Sequence, residues 1–152
     1  MLIADLDSQP HFLPALVEAF EAEWPEWCKS VGRARLEAIF RNGPRGELPL
    51  VLVAFEGTTL LGTIALRPWF AEERMAETPW VRQLLVLPDH RGRGVDRLLG
   101  AAVEERAAAM GFDHLYAATN RIEPLMARRG WEAFARIEHE GGPMAWLRKK
   151  IS

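Results

Sequence analysis

The feature that most restricts what this chain can fold into is a switch of hydrophobic period inside residues 84–111. Leu84-Leu85-Val86-Leu87 is an apolar run stopped by Pro88, the pattern of a strand buried on both faces. From Val95 the period changes, so that Val95, Leu98, Leu99, Ala102, Val103 and Met110 recur mainly on one helical face and Gly111 supplies a terminator. Arg91-Gly92-Arg93-Gly94 joins the strand to the helix. Two glycines let the backbone turn sharply with its N–H groups converging, and the first turn of the helix adds a positive dipole end. The product is a pocket for phosphate oxygens, with Arg91, Arg93 and Arg97 bringing full charges to its rim.

Two common phosphate turns do not match. A dinucleotide site of the Gly-x-Gly-x-x-Gly type needs a third glycine where Arg97 stands, and the turn comes late in the chain. A nucleotide-hydrolysing loop would end in Gly-Lys-Ser/Thr, which is absent here. What remains is Arg-x-x-Gly-x-Gly/Ala after a Val-Leu-Pro strand, and this resembles the pyrophosphate-binding motif of the GCN5-related N-acetyltransferases (GNAT family). Glu77-Thr78-Pro79-Trp80-Val81 before the central strand, Ala117-Ala118-Thr119 on a later strand and Arg128-Arg129-Gly130-Trp131 at a helix end look like further landmarks of that family. They cover roughly the C-terminal half. The N-terminal half is similar in element order only.

Element order follows from period and punctuation. Met1 to Asp5 reads as a first strand, and Asp7 or Ser8 as the cap of a helix carrying Phe12, Leu13, Leu16, Val17 and Phe20. Pro25 ends that helix, and a second one spans about Val31 to Arg41 before Asn42-Gly43-Pro44. Leu48 to Glu56 and Leu60 to Pro68 form a hairpin around Gly57-Thr58-Thr59. Pro68-Trp69-Phe70 and Glu72-Glu73-Arg74 make a loop. After the central helix come a strand over His114 to Ala118, a short helix opened by Pro124, and a closing pair, Trp131 to Glu138 and Met144 to Lys149, around Gly141-Gly142-Pro143. The resemblance implies one α/β domain over residues 1–152 with the GNAT acyl-CoA N-acyltransferase fold: a mixed, mostly antiparallel sheet flanked by helices. Its two central parallel strands splay around the pantetheine arm.

The resemblance also implies the chemistry. Acetyl-CoA is the cosubstrate, no metal is needed, and a primary amine of a small molecule attacks the thioester directly. An alkylamine has a pKa near 10, so a base must take its proton at neutral pH. Glu77 is the first choice because related enzymes place a carboxylate before the central strand, and Glu73 and His139 follow. Backbone groups of Leu85, Val86 and Leu87 are expected to polarise the thioester and hold the arm, and Asn120 to touch it. Arg91, Gly92, Arg93, Gly94, Val95, Asp96 and Arg97 are expected to bind the pyrophosphate. The loop after the first helix lines the acceptor pocket of the family, which makes Trp24, Glu26 and Trp27 candidates to meet a cationic amine.

Composition excludes several other classes. The 152 residues are 49% hydrophobic and 26% charged, the balance of an ordinary globular chain able to bury a core. Residues 1–80 carry 12 acidic and 7 basic side chains and residues 81–152 carry 9 and 12, an acidic half and a basic half that suit a cationic acceptor and an anionic cofactor. The overall charge of −2 argues against nucleic acid as a partner. No apolar stretch approaches a membrane span, no secretory signal opens the chain, and the single cysteine, Cys28, fits a reducing cytoplasm. Cys28 has no histidine partner in a recognisable motif, which disfavours an acyl-cysteine route. The four histidines, His11, His90, His114 and His139, lack metal-ligand spacing. Family members often form homodimers.

Two departures from the family pattern keep an alternative open. Asp96 stands where the motif has its last glycine or alanine, and a carboxylate about 5 Å from a phosphate charge costs on the order of 3 kcal/mol at an effective dielectric near 20, before screening by salt. Met126 stands where many members carry the tyrosine that protonates the departing thiolate, and the one tyrosine, Tyr116, reads as a wall or core residue of a strand. A thiol of pKa near 8.5 can leave without that help. The alternative is a GNAT-fold protein of impaired catalysis that binds an acyl-CoA or a partner as a sensor.

Overall fold

A computed structural model describes residues 1–44, 46–68, 77–139 and 142–152. The expected loop through Trp69, Phe70 and Glu72-Glu73-Arg74, and with it the candidate base Glu73, lies outside the described residues. The order of the sheet is β1-β2-β3-β4-β5-β7-β6, with β1 Leu2–Asp5, β2 Leu50–Glu56, β3 Thr59–Arg67, β4 Trp80–Val86, β5 His114–Thr119, β6 Glu132–His139 and β7 Gly142–Lys150. One pairing, β4 with β5, is parallel and the others described are antiparallel. The mixed, mostly antiparallel sheet with flanking helices is the architecture expected. The chain divides into two compact units, Met1–Leu66 with Gln83–Val103, and Arg67–Arg82 with Glu104–Ser152.

In the first unit β1 pairs with β2 (Leu2↔Phe55) and β2 with β3 (Leu50↔Leu66). Both strands are buried on both faces, which is why they read as near-continuous apolar runs. Val51, Val53, Phe55 and Ala65 pack with Leu16, Val17, Phe20, Cys28 and Leu36 of three helices, α1 Leu13–Glu23, α2 Pro25–Val31 and α3 Arg33–Ile39. On the opposite face a Cβ added to Gly62 would lie 3.3 Å from Leu99 of α4, Val95–Ala109, and 2.8 Å from the carbonyl of Leu85. Only glycine permits β3 and β4 to lie that close.

Three local expectations need correction. No side-chain cap opens α1; Leu6–Ser8 and Pro10–Phe12 form 3-10 turns ahead of it, and the Ser8 hydroxyl donates to the Asp5 carbonyl at 2.8 Å. Pro25 starts α2 as well as following α1, since proline suits a first helical turn, and the helix expected over 31–41 is split by Gly32, whose φ of 86° is left-handed. Leu84 is 41% exposed, so β4 is not buried on both faces there. Its neighbour Gln83 has φ 50°, a left-handed residue inside a strand, and such a residue re-aims the side chains beside it at a cost of about 1 kcal/mol or more.

In the second unit β5 pairs with β7 (His114↔Lys150) and β7 with β6 (Glu132↔Arg148), so β7 lies between them. Trp80, fully buried at the start of β4, packs at 5.8 Å edge-on to Trp146 and 5.5 Å from Tyr116. Its indole N–H donates to the Glu77 carbonyl at 2.7 Å, which satisfies the one polar group such a ring brings inside. Tyr116 also meets Phe134 edge-on at 5.8 Å, the wall position its strand pattern predicts. α5, Glu123–Arg128, has Pro124 in its first turn as expected.

Candidate functional site

The glycine turn is built at the end of β4. The Leu87 N–H donates to the Leu61 carbonyl at 2.9 Å, and Pro88, which has no N–H, then leaves the sheet through a 3-10 turn, Pro88–His90. Gly92 and Gly94 have φ of 79° and 80°. Nothing lies within 4 Å of a Cβ placed at either, so glycine is demanded here by backbone conformation and not by crowding. The Leu98 N–H donates to the Gly94 carbonyl at 3.1 Å and starts α4, whose first-turn N–H groups have no place in the helix ladder. A run of backbone donors therefore ends at a helix N-terminus, the arrangement that accepts phosphate oxygens.

Strand geometry separates the three residues expected to work through backbone. In a strand the N–H and C=O of one residue point to the same edge and those of the next to the other. Leu87 donates to β3, and the Leu85 carbonyl points at Gly62 of β3. Val86 between them faces the opposite edge, where its carbonyl accepts the Arg91 Nε–H at 2.9 Å.

Two of the arginines at the turn, Arg91 and Arg93, are already engaged. Arg91 forms an ion pair with Glu23, at the end of α1, at 3.1 Å, and Arg93 pairs with Glu56, at the end of β2, at 2.9 Å. Arg93 also lies 3.3 Å from Nδ1 of His90. The Arg93 guanidinium, by hydrogen bond and then by charge, holds the Glu56 carboxyl below the usual range. Arg97 is exposed and Asp96 half-buried in the first turn of α4. Neither Glu23 nor Glu56 was predictable from local pattern, because they stand 68 and 37 residues from their partners.

Trp24 and Trp27 flank the α1–α2 junction at 40% and 38% exposure, with ring centres 5.1 and 6.5 Å from that of Phe20. Their indoles cover the core with one face and keep surface in solvent, and Glu26 is exposed beside them. Cys28 is buried, and burial, with the charge of Glu21, pushes its thiol up; a thiol held protonated is a poor nucleophile.

Glu77 and Asn120 belong to the second unit. Glu77 is half-buried three residues before Trp80, whose indole N–H its carbonyl accepts, and Asn120 is exposed just after β5. Asn120 lines a cavity of about 360 Å³ with Thr119, Arg121, Glu123, Arg136 and Met144. Arg136 grips Glu123 with two bonds of 2.8 and 2.7 Å, which holds the Glu123 carboxyl low and the guanidinium high. Met126 is half-buried on α5. Two further cations had no signal in the sequence: Arg67 and Arg82 are half-buried, burial lowers the pKa of each, and the charge of Arg67 lowers that of Arg82 further. Among the described residues no group of three or more His, Cys, Asp or Glu is placed to hold a metal, and no helix is long and apolar enough to cross a membrane.

A model of the acetyltransferase (GNAT) family matches residues 13–131. No curated protein matches the chain. Among solved structures, an aminoglycoside 6'-N-acetyltransferase complexed with coenzyme A is similar over 100% of this chain and 98% of its own, at 16% identity and a TM-score of 0.79. The aminoglycoside 6'-N-acetyltransferase from Enterococcus faecium gives the same coverages and identity with a TM-score of 0.80. A GNAT family acetyltransferase from Elizabethkingia anophelis with acetyl-CoA bound is similar over 67% of this chain and 76% of its own, at 16% identity and a TM-score of 0.53. At such identities the likeness is one of fold.

Proposed function

Because the chain belongs to the acetyltransferase (GNAT) family, which takes acetyl groups from acetyl-CoA, we propose that it transfers the acetyl group to a primary amine of a small molecule by direct attack. The observation that carries this reading is the turn between β4 and α4, where two left-handed glycines converge backbone donors on a helix N-terminus. Gly92, Arg93, Gly94, Val95 and Asp96 offer N–H groups to the pyrophosphate, and Arg91, Arg93 and Arg97 offer charge. The Val86 N–H, turned away from β3, supports the arm and polarises the thioester carbonyl, while Leu85 and Leu87 serve by fixing β4 against β3. Asn120 is the candidate for a further contact to the arm.

In the transfer, the neutral amine attacks the thioester carbonyl and forms the C–N bond first, and the C–S bond breaks as the carbonyl reforms. The Val86 N–H steadies the oxyanion that develops between those events, and the sulfur leaves as a thiolate that takes up a proton from water. Glu77 receives the amine proton, directly or through a water. An amine of pKa near 10 is protonated in all but about one molecule in a thousand at pH 7, so rate should rise with pH until the bound amine is neutral. The acidic first half of the chain and the half-exposed Trp24 and Trp27 support a cationic acceptor. Cys28, the lone cysteine, supports a reducing cytoplasmic setting. Calorimetric titration with acetyl-CoA and with CoA tests the reading: micromolar binding of both to the wild type and none to Gly94→Asp is expected. Equal binding by the two proteins would move the phosphate site elsewhere.

A further inference from the structure

Two of the three arginines at the phosphate turn are already held by acids. Arg91 and Arg93 face Glu23 and Glu56 through ion pairs of 3.1 and 2.9 Å, and a further acid, Asp96, stands in the first turn of α4. A bare anion site would hold its arginines ready, but here α1 and β2 each contribute an acid that occupies one of them. We infer that Glu23 and Glu56 are positioning residues that mask Arg91 and Arg93 until the diphosphate of the cofactor takes those guanidinium groups. The inference rests on the placement of the phosphate site proposed above.

Geometry and exposure make the exchange feasible. The Arg91 Nε–H is fixed to the Val86 carbonyl at 2.9 Å, so the arginine is anchored to β4 while the far end of its guanidinium holds Glu23. Rotation about that anchor lets the far end leave a carboxylate for a phosphate oxygen without moving the strand. Both pairs are well exposed, at 48% and 35% for Arg91 and Glu23 and 43% and 44% for Arg93 and Glu56, and pairs of this kind are weak enough to open. The diphosphate is one group that can meet both arginines together with the backbone N–H donors of the turn, which neither acid does, and so wins the exchange, yet it must displace or repel the acids. Each acid therefore lowers cofactor affinity. It also alters the response to salt, because swapping one anion for another on the same arginine creates no new ion pair, whereas binding to a bare arginine does.

Acetyl-CoA and CoA titrated by calorimetry into the wild type, Glu23→Gln, Glu56→Gln and the double variant, at low and moderate salt, test this. Each single variant should bind both ligands about threefold tighter and the double variant about tenfold tighter. The double variant should also lose affinity more steeply with salt than the wild type, a change that a purely structural role for the acids would not produce. Unchanged or weaker binding in both single variants, or an unchanged salt slope in the double variant, would overturn the inference while leaving the phosphate site in place. If neither ligand binds any of the four proteins, the phosphate site itself is wrong and the inference falls with it.

Discussion

The glycine turn and the cavity beside Asn120 use the same side-chain chemistry to different ends. Each has arginines paired to glutamates: Arg91 with Glu23 and Arg93 with Glu56 at the turn, Arg136 with Glu123 at the cavity. At the cavity the pair is a double-bonded clamp between α5 and β6. At the turn each pair uses a single contact and borders backbone donors that two left-handed glycines set free. What distinguishes a site from a staple is therefore the backbone beside the pair, and the pair alone indicates neither. The contrast is broken most severely by removing that backbone. Gly94→Asp adds about 1–2 kcal/mol of left-handed strain and a carboxylate worth on the order of 3 kcal/mol against a phosphate about 5 Å away, so acetyl-CoA affinity should fall more than about a hundredfold. Calorimetry measures the loss, and circular dichroism should show the fold retained.

The next largest effect falls on the support beneath the turn. Gly62→Ala places a Cβ 2.8 Å from the Leu85 carbonyl, which is backbone and cannot rotate aside, so β3 and β4 must separate. Overpacking of this kind costs about 2 kcal/mol, and urea unfolding should show it. Cofactor affinity should fall as well, since Leu85 and Leu87 fix the strand from which the turn springs. Stability lost with affinity unchanged would detach the turn from its strand and break the comparison.

Asp96→Gly sharpens the charge side of the contrast. Removing this carboxylate from the turn should tighten acetyl-CoA binding by about tenfold, less than the unscreened 3 kcal/mol because water and salt reach the turn. It should also cost about 0.5–1 kcal/mol of stability, since Asp favours a helix N-terminus and Gly does not. Affinity that does not change in a calorimetric titration would mean that Asp96 points away from the phosphates, and it would remove the electrostatic ground for reading this chain as an impaired enzyme.

The turn could be read from sequence because everything it needs lies within a few residues: an apolar strand, a proline stop, two glycines and a change of period. The order of elements along the chain could be read for the same reason, but the place of β7 between β5 and β6 in the sheet could not, because it depends on long-range pairing. The neutralising acids could not, because Glu23 and Glu56 reach their arginines only once α1 and the β2–β3 hairpin have packed. The exposure of Leu84 was hidden by a backbone event, the left-handed Gln83, that no residue type announces. Pro25 and Gly32 were visible as punctuation, but a proline ends one helix as well as it begins the next, and the split into α2 and α3 depends on Gly32 taking a positive φ.

The smallest effect belongs to the clamp, and its sign is fixed by the pair. Arg136 lowers the Glu123 carboxyl from its ordinary 4.5, so the folded state holds the charged form more tightly than the unfolded chain does. The stability this contributes is fully present above about pH 4.5 and is lost as pH falls through the lower folded value. Glu123→Gln has no carboxyl to titrate. Its melting midpoint should lie slightly below that of the wild type at neutral pH, and the gap should close as both are acidified below about pH 4.5. Acetyl-CoA affinity should stay within about twofold of wild type, because Glu123 pairs with Arg136 and not with an arginine of the glycine turn. A gain in affinity here comparable to that expected of Glu23→Gln would mean that removing any exposed acid suffices, and the distinction between turn and clamp would fail.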